Sequence, residues 1–207
     1  MAKKFYAVKK GKKIGVFHTW AECKVQVDGY SGAVYKSFST LEEAKAFVDD
    51  RVIESDLLDM EDVLQGHEPA KMVAYVDGSF LKGKPQFSYG AVIGFEGEQY
   101  EFCEKIQDSE LASMHNVAGE IKGAEFAMKF ALEKGCKDLY IYHDYEGISK
   151  WCRGEWKTNK EGTKAYKAFY DEIKNKIAIH FVKVTGHSGD KYNDIADQLA
   201  KRALGID

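Results

Sequence analysis

The stretch Met72-Val73-Ala74-Tyr75-Val76-Asp77-Gly78-Ser79 places one carboxylate where an apolar run gives way to small, turn-forming residues. Val73, Tyr75 and Val76 suit a buried strand, and Gly78-Ser79 reads as the turn that ends it. Asp77 is therefore expected at the strand's lip. An unpaired carboxylate is costly in a core, whereas solvent or a metal ion compensates it. Taken alone, Asp77 also fits a turn aspartate that caps its own loop.

Downstream, the same arrangement returns. Leu139-Tyr140-Ile141-Tyr142-His143-Asp144 is a second apolar strand that ends in an aspartate and is followed by a helix start. Between the two, Phe87 to Phe95 and Gln99 to Ile106 read as strands joined by a Glu96-Gly97-Glu98 hairpin. Val117 to Lys134 carries apolar or small residues at 117, 121, 124, 127, 128, 131 and 132, the spacing of a helix packed on a sheet. Glu120 lies in its first turn, where the helix dipole alone would favour an acid. A helix from Thr163 to Ile177, a strand from Ala178 to Thr185 and a helix from Asn193 to Leu204 complete the series, the last with Ile195, Leu199 and Ala200 facing inward and Asp197 near its start. His187 sits in a glycine-rich loop, Gly186-His187-Ser188-Gly189-Asp190, that leads into this helix.

Upstream, the chain has a different character. Residues 1–48 hold nine lysines against four acids, and residues 49–68 hold eight acids against Arg51 alone. The remainder is close to neutral, so the net charge of -3 conceals a basic module, an acidic connector and a near-neutral second domain. In the basic module, Lys3 to Val8, Ile14 to Phe17 and Ala33 to Phe38 read as strands, the first two joined by a turn carrying four lysines. Thr19 and Glu22 form a capping box for one helix, and Ser39-Thr40-Leu41-Glu42-Glu43 opens a second in the same way. Lysines interleaved with Tyr6, Trp20 and Tyr35 suit nucleic acid, because phosphates attract cations and aromatic faces pack on sugars or bases. A solvated basic face over ordinary core aromatics would have the same composition.

Of 207 residues, 44% are apolar, enough for a packed core. The four cysteines are widely spaced, without a zinc-ligand pattern, and are expected to be reduced. No stretch reaches the ~18 apolar residues of a membrane span, and the N-terminus lacks the apolar core of a signal peptide. The expectation is a cytoplasmic protein with no membrane partner.

The run FYAVKKGKKIGVFHTWAECKVQVDGYSGAVYKSFSTLEEAKAFV, residues 5–48, resembles the hybrid-binding, or viroplasmin-type, domain at the N-terminus of many type 1 ribonucleases H. The resemblance implies that Tyr6, Trp20, Tyr35 and Lys36 touch an RNA/DNA duplex, the aromatics on the DNA strand and Lys36 on phosphate. Where the family often has two adjacent lysines, this chain has Lys36-Ser37. Residues 72–204 resemble type 1 ribonuclease H itself through VDGS (76–79), NVAGE (116–120), YHDYEGI (142–148) and VTGHSGDKYNDIADQLA (184–200). The implied fold is α/β, a ribonuclease H-like mixed five-stranded sheet flanked by helices, preceded by a small β-β-α-β-α hybrid-binding domain. The implied division is a binding domain at 1–48, an acidic linker at 49–70 and a catalytic domain at 71–207.

The resemblance further implies catalytic carboxylates at Asp77, Glu120, Asp144 and Asp197, with His187 assisting proton transfer or product departure. In the family a histidine precedes the last acid by ten residues, which selects Asp197 over Asp194. Asn116 is offered for contacts to RNA 2'-hydroxyls, in a spacing one residue longer than in the enterobacterial enzyme. The basic loop that some relatives use to hold substrate is not evident around residues 153–164. The implied reaction is endonucleolytic hydrolysis of the RNA strand of an RNA/DNA hybrid, leaving 5'-phosphate and 3'-hydroxyl ends. Two Mg²⁺ ions roughly 4 Å apart are the implied cofactor, with Mn²⁺ as a substitute, and hard oxygen ligands match that preference. In this scheme Asp77 bridges both ions, Asp144 and Asp197 complete the nucleophile's ion, and Glu120 holds the leaving-group ion. A monomer without organic cofactor is expected. The competing readings are a hybrid-binding protein that has lost catalysis and a DNA-cutting nuclease of the same superfold, such as an integrase or a Holliday-junction resolvase.

Overall fold

The computed structural model describes residues 4–49, 57–186 and 189–206, which form two compact units, Met1–Leu57 and Leu58–Asp207.

In the first unit a central strand, β1 (Phe5–Lys10), pairs antiparallel with β2 (Gly15–Phe17) on one side and β3 (Val34–Phe38) on the other. Alternate residues of β1 leave opposite faces of the sheet, and each face takes one helix. Val8 packs with Cys23 and Val27 of α1 (Trp20–Val27), while Phe5 and Ala7 pack with Ala44 of α2 (Leu41–Asp49). Both helices start on the expected capping boxes. The Glu22 amide donates to Thr19 Oγ1 at 3.2 Å and the Thr19 amide to Glu22 Oε2 at 3.0 Å. Thr40 and Glu43 repeat the exchange.

The second unit is built on a five-stranded sheet in the order β6-β5-β4-β7-β8. Here β4 (Lys71–Leu81), β5 (Gln86–Phe95) and β6 (Glu98–Gln107) form an antiparallel meander. Glu96 and Gly97 turn the β5–β6 hairpin, both with left-handed backbone (φ 51° and 83°) as a tight two-residue turn requires. β7 (Asp138–His143) and β8 (Ala178–Lys183) join in parallel, so each is reached through helices. These are α4 (Asn116–Glu133), then α5 (Gly147–Arg153) and α6 (Glu161–Ile173). One sheet face, with Met72, Ala74, Val76, Ile93 and Ile141, buries Ala124 and Met128 of α4 and Tyr166 of α6. On the other face lie the short α3 (Met60–Leu64) and α7 (Lys191–Leu204). α7 approaches so closely that a Cβ on Gly90 would stand 2.0 Å from the Ala196 carbonyl oxygen. Among the described residues, no helix is long and apolar enough to cross a membrane.

Three local expectations change. The strand carrying Asp77 does not end at Gly78-Ser79: β4 pairs with β5 as far as Leu81↔Gln86, because the glycine admits a neighbouring helix and does not turn the chain. Nor does the acidic connector run to residue 70. Leu58, Met60 and Val63 are buried in the second unit, giving it an apolar anchor inside the acidic run. In α7 the buried residues are Tyr192, Asn193, Ala196, Leu199 and Ala200, with Ile195 only half-buried.

Candidate active site

Asp77 owes its position to unequal pairing on the two sides of β4. The antiparallel partner β5 continues past it, but the parallel partner β7 matches β4 only as far as Tyr75↔Tyr142. A gap therefore opens beside Asp77, and Asp144, one residue past the end of β7, enters it. The third carboxylate comes from α4. Gly78 and Gly119 let that helix touch the strand: a Cβ on Gly78 would lie 2.5 Å from the Glu120 nitrogen, and one on Gly119 would lie 2.8 Å from Gly78 Cα. One oxygen each from Asp77, Glu120 and Asp144 then falls within 4.8 Å of the others.

Two of these carboxylates are poorly solvated, and all three are close enough to repel. Asp77 is 8% exposed and Glu120 1% exposed. Burial, and after it the charge of Asp144, pushes the Asp77 carboxyl up to about 7. Burial with the charges of Asp144 and Asp77 pushes Glu120 to about 9. Compensation is partial: the Gly78 amide donates to Asp77 Oδ1 at 2.6 Å, and Lys201 and Lys183 act from a distance on Asp77 and Glu120. Glu120 Oε2 is buried without a hydrogen-bond partner among the described residues. An orphaned oxygen beside two further carboxylates is what a hard divalent cation would satisfy, so the donor set fits such an ion.

Asp197 stands outside this group of three but near enough for its charge to raise Asp77 further. Its Oδ2 accepts from Lys201 Nζ, one helical turn on, at 2.6 Å. His187 lies outside the described residues. Gly186, the described residue before it, lies directly against Asp144: a Cβ on Gly186 would stand 2.5 Å from Asp144 Oδ2. Asn116 opens α4 and lines a groove of about 470 Å³ together with Ser79, Phe80, Lys82, His115, Asp197 and Lys201. Sequence reasoning did not single out Lys82, His115 or Lys201. Lys201 was legible as the i+4 neighbour of Asp197, whereas His115 enters through a left-handed backbone (φ 57°) and a ring contact with Phe80 at 4.7 Å, for which the sequence has no signal.

In the first unit the structure brings three of the four expected contact residues together. Trp20 sits between Tyr6 and Tyr35, its ring centroid 5.8 Å from each, and Trp20 and Tyr35 are 44% and 46% exposed. Lys36 is not part of this array. Its register partner is Ala7, on the α2 face, and its ammonium lies over Phe38 at 5.4 Å. The neighbouring residue on the aromatic face is Ser37, paired with Tyr6.

Comparison with known proteins covers both units. Residues 4–48 match the family model described as "Ribonuclease H1 N-terminal domain", and residues 69–205 match the one described as "RNase H". Human "Ribonuclease H1" is 27% identical across 95% of this chain and 88% of its own length. "Ribonuclease H" of Francisella tularensis subsp. novicida is 31% identical over 65% of this chain and 91% of its own. That of Saccharomyces cerevisiae is 59% identical over 44 residues, which are 21% of this chain and 13% of the yeast protein. Among solved structures, the ribonuclease H1 of the archaeon Halobacterium salinarum superposes with a TM-score of 0.54 at 22% identity, over 65% of this chain and 98% of its own.

Proposed function

Since the chain belongs to the ribonuclease H family, we propose that it is an endonuclease that hydrolyses the RNA strand of RNA/DNA hybrids and leaves 5'-phosphate and 3'-hydroxyl ends. The observation that carries the reading is the Glu120 Oε2 left without a partner among the described residues, within a group of three carboxylates of which Asp77 and Glu120 are buried. Asp77, Glu120 and Asp144 hold two Mg²⁺ ions, with Mn²⁺ as a substitute, and Asp197 joins them from α7. When bound, these ions supply a nucleophilic water and stabilise charge on the departing 3'-oxygen.

The protein's own part is to bind and orient. Asn116 and Ser79 line the groove beside Asp197 and offer hydrogen bonds to RNA 2'-hydroxyls. Lys82 and Lys201, in the same groove, attract the phosphate backbone. Tyr6, Trp20 and Tyr35 give the first unit a stacking platform for the hybrid, and tethering two binding units on one chain raises effective concentration. His187 carries protons near the scissile bond, a task suited to an imidazole at neutral pH.

A direct test is calorimetric titration of Mn²⁺ into the protein and into Asp77→Asn, followed by end analysis of hybrid cleavage products. Binding that weakens in the variant, with 5' ends sensitive to phosphatase, supports the proposal. Unchanged binding in Asp77→Asn, or products with 5'-hydroxyl ends, contradicts it.

A further inference from the structure

The segment from Leu58 to Gly66 lies between the two matched regions, 4–48 and 69–205, so neither family description accounts for it. In the second unit it forms a strap across the α7 face of the sheet. Leu58, Met60 and Val63 are buried, with Met60 Sδ 2.4 Å from where a Cβ on Gly94 would be. The Gly97 amide donates to the Val63 carbonyl at 3.1 Å. The Tyr142 hydroxyl donates to the Leu58 carbonyl at 2.9 Å, and the Tyr192 hydroxyl to Glu61 Oε1 at 2.6 Å.

What lies under the strap connects it to the site. Tyr75 stacks on Tyr142 at 4.4 Å and meets Tyr192 at 5.6 Å. Tyr75 precedes Asp77 by two residues, Tyr142 precedes Asp144 by two, and Tyr192 precedes Asp197 by five. Three of the elements that deliver a carboxylate thus each deliver a tyrosine to one stack beneath the strap. Asp197, carried by α7, is the acid outside the close group of three, so its distance from them depends on how α7 is held. The C-terminal half of α7 is fixed by the Ser88 hydroxyl donating to the Ala200 carbonyl at 2.5 Å. Its first turn is fixed by the strap, through Tyr192 and, at 3.4 Å, Lys191 with Glu61. The Lys191–Glu61 ion pair is exposed and contributes little, so the hold on α7 comes from the Tyr192 hydroxyl on Glu61, while the buried apolar anchors seat the strap on the sheet.

We propose that the strap is a positioning device for catalysis: Met60 seats the strap on the sheet, and from there Glu61, through Tyr192, holds the first turn of α7 so that Asp197 meets the other carboxylates at a set separation when cations enter. The proposal rests on the functional reading above.

The test uses the full chain with Tyr192→Phe, Glu61→Ala, Glu61→Gln and Met60→Ser, each checked for folding by circular dichroism. Hybrid cleavage is measured with hybrid and Mg²⁺ varied independently, and Mn²⁺ binding by calorimetry. Glu61→Ala and Tyr192→Phe should weaken Mn²⁺ binding and raise the half-activating Mg²⁺ concentration by about tenfold, lowering kcat while leaving KM for the hybrid unchanged. Glu61→Gln, whose amide oxygen still accepts the Tyr192 hydroxyl, should stay close to the wild type. Folded Glu61→Ala and Tyr192→Phe proteins with wild-type metal dependence overturn the proposal. So does a Met60→Ser protein that melts earlier while its metal dependence is unmoved. A wild-type chain that cleaves no hybrid would count against the functional reading, and the calorimetric comparison would then decide the strap alone.

Discussion

Gly119 and Gly78 are in backbone contact: a Cβ on Gly119 would stand 2.8 Å from Gly78 Cα and 2.0 Å from the Ser88 carbonyl oxygen. This contact places α4 against β4 and so sets the distance from Glu120 to Asp77. A methyl group there has no flexible side chain to displace. Gly119→Ala should therefore destabilise the second unit by about 1–3 kcal/mol. Cleavage should fall further than the loss of folded protein explains, as comparison of thermal melts with kcat at a temperature where the variant is folded will show.

Asp77 is central to the cluster yet replaceable in shape. Asp77→Asn keeps the volume and removes the charge, so turnover should be lost while affinity for an RNA/DNA hybrid, read by fluorescence anisotropy, stays near the wild-type value. Wild-type turnover in that variant would remove Asp77 from the metal site.

The raised carboxyls make stability depend on pH and metal. In the unfolded chain a glutamate titrates at about 4, whereas folded Glu120 is pushed up to about 9. Without metal, its contribution to stability is fully present below the unfolded value and is lost as pH rises through the folded one. Metal-free protein should accordingly lose melting temperature between about pH 4 and 9, and Mg²⁺ should restore it most at the alkaline end. Glu120→Gln should flatten the metal-free profile. A wild-type profile that rises over this range without metal would contradict the electrostatics of the cluster.

The first unit separates two residues adjacent in sequence. Trp20→Ala removes the middle ring of the Tyr6–Trp20–Tyr35 array and should weaken hybrid binding by about 1–3 kcal/mol. Ser37 shares the Tyr6 face and Lys36 does not, so Ser37→Lys should strengthen binding and steepen its salt dependence more than Lys36→Ala weakens it. Both are best measured in the Asp77→Asn background, where the hybrid should survive.

Much of this architecture was readable from residue patterns. Asp77 and Asp144 stood out because each closes an apolar run, and Glu120 because the helix was expected to begin at Val117. α4 in fact begins at Asn116 and has no acid in its first turn, and it was the family resemblance that joined the three acids. Local capping was equally plain at Thr19 and Thr40. What sequence could not convey depends on distant neighbours. Gly78 reads as a turn because nothing nearby says that Asn116 and Glu120 will press against it. Nothing local marks Leu58, Met60 and Val63 as an anchor inside the acidic connector, because their partners, Gly94, Gly97 and Tyr142, lie far along the chain. Lys36 was grouped with the aromatics by the family resemblance, whereas strand alternation turns it to the α2 face.

The measurement that bears most directly on the account is cleavage of an end-labelled RNA/DNA hybrid, run beside matched RNA/RNA and DNA/DNA duplexes, with Mg²⁺ and then with EDTA. Loss of the hybrid's RNA strand alone, in Mg²⁺ and not in EDTA, is the expected result. Binding of the hybrid without cleavage in either Mg²⁺ or Mn²⁺, or cutting of the DNA duplex, would contradict it.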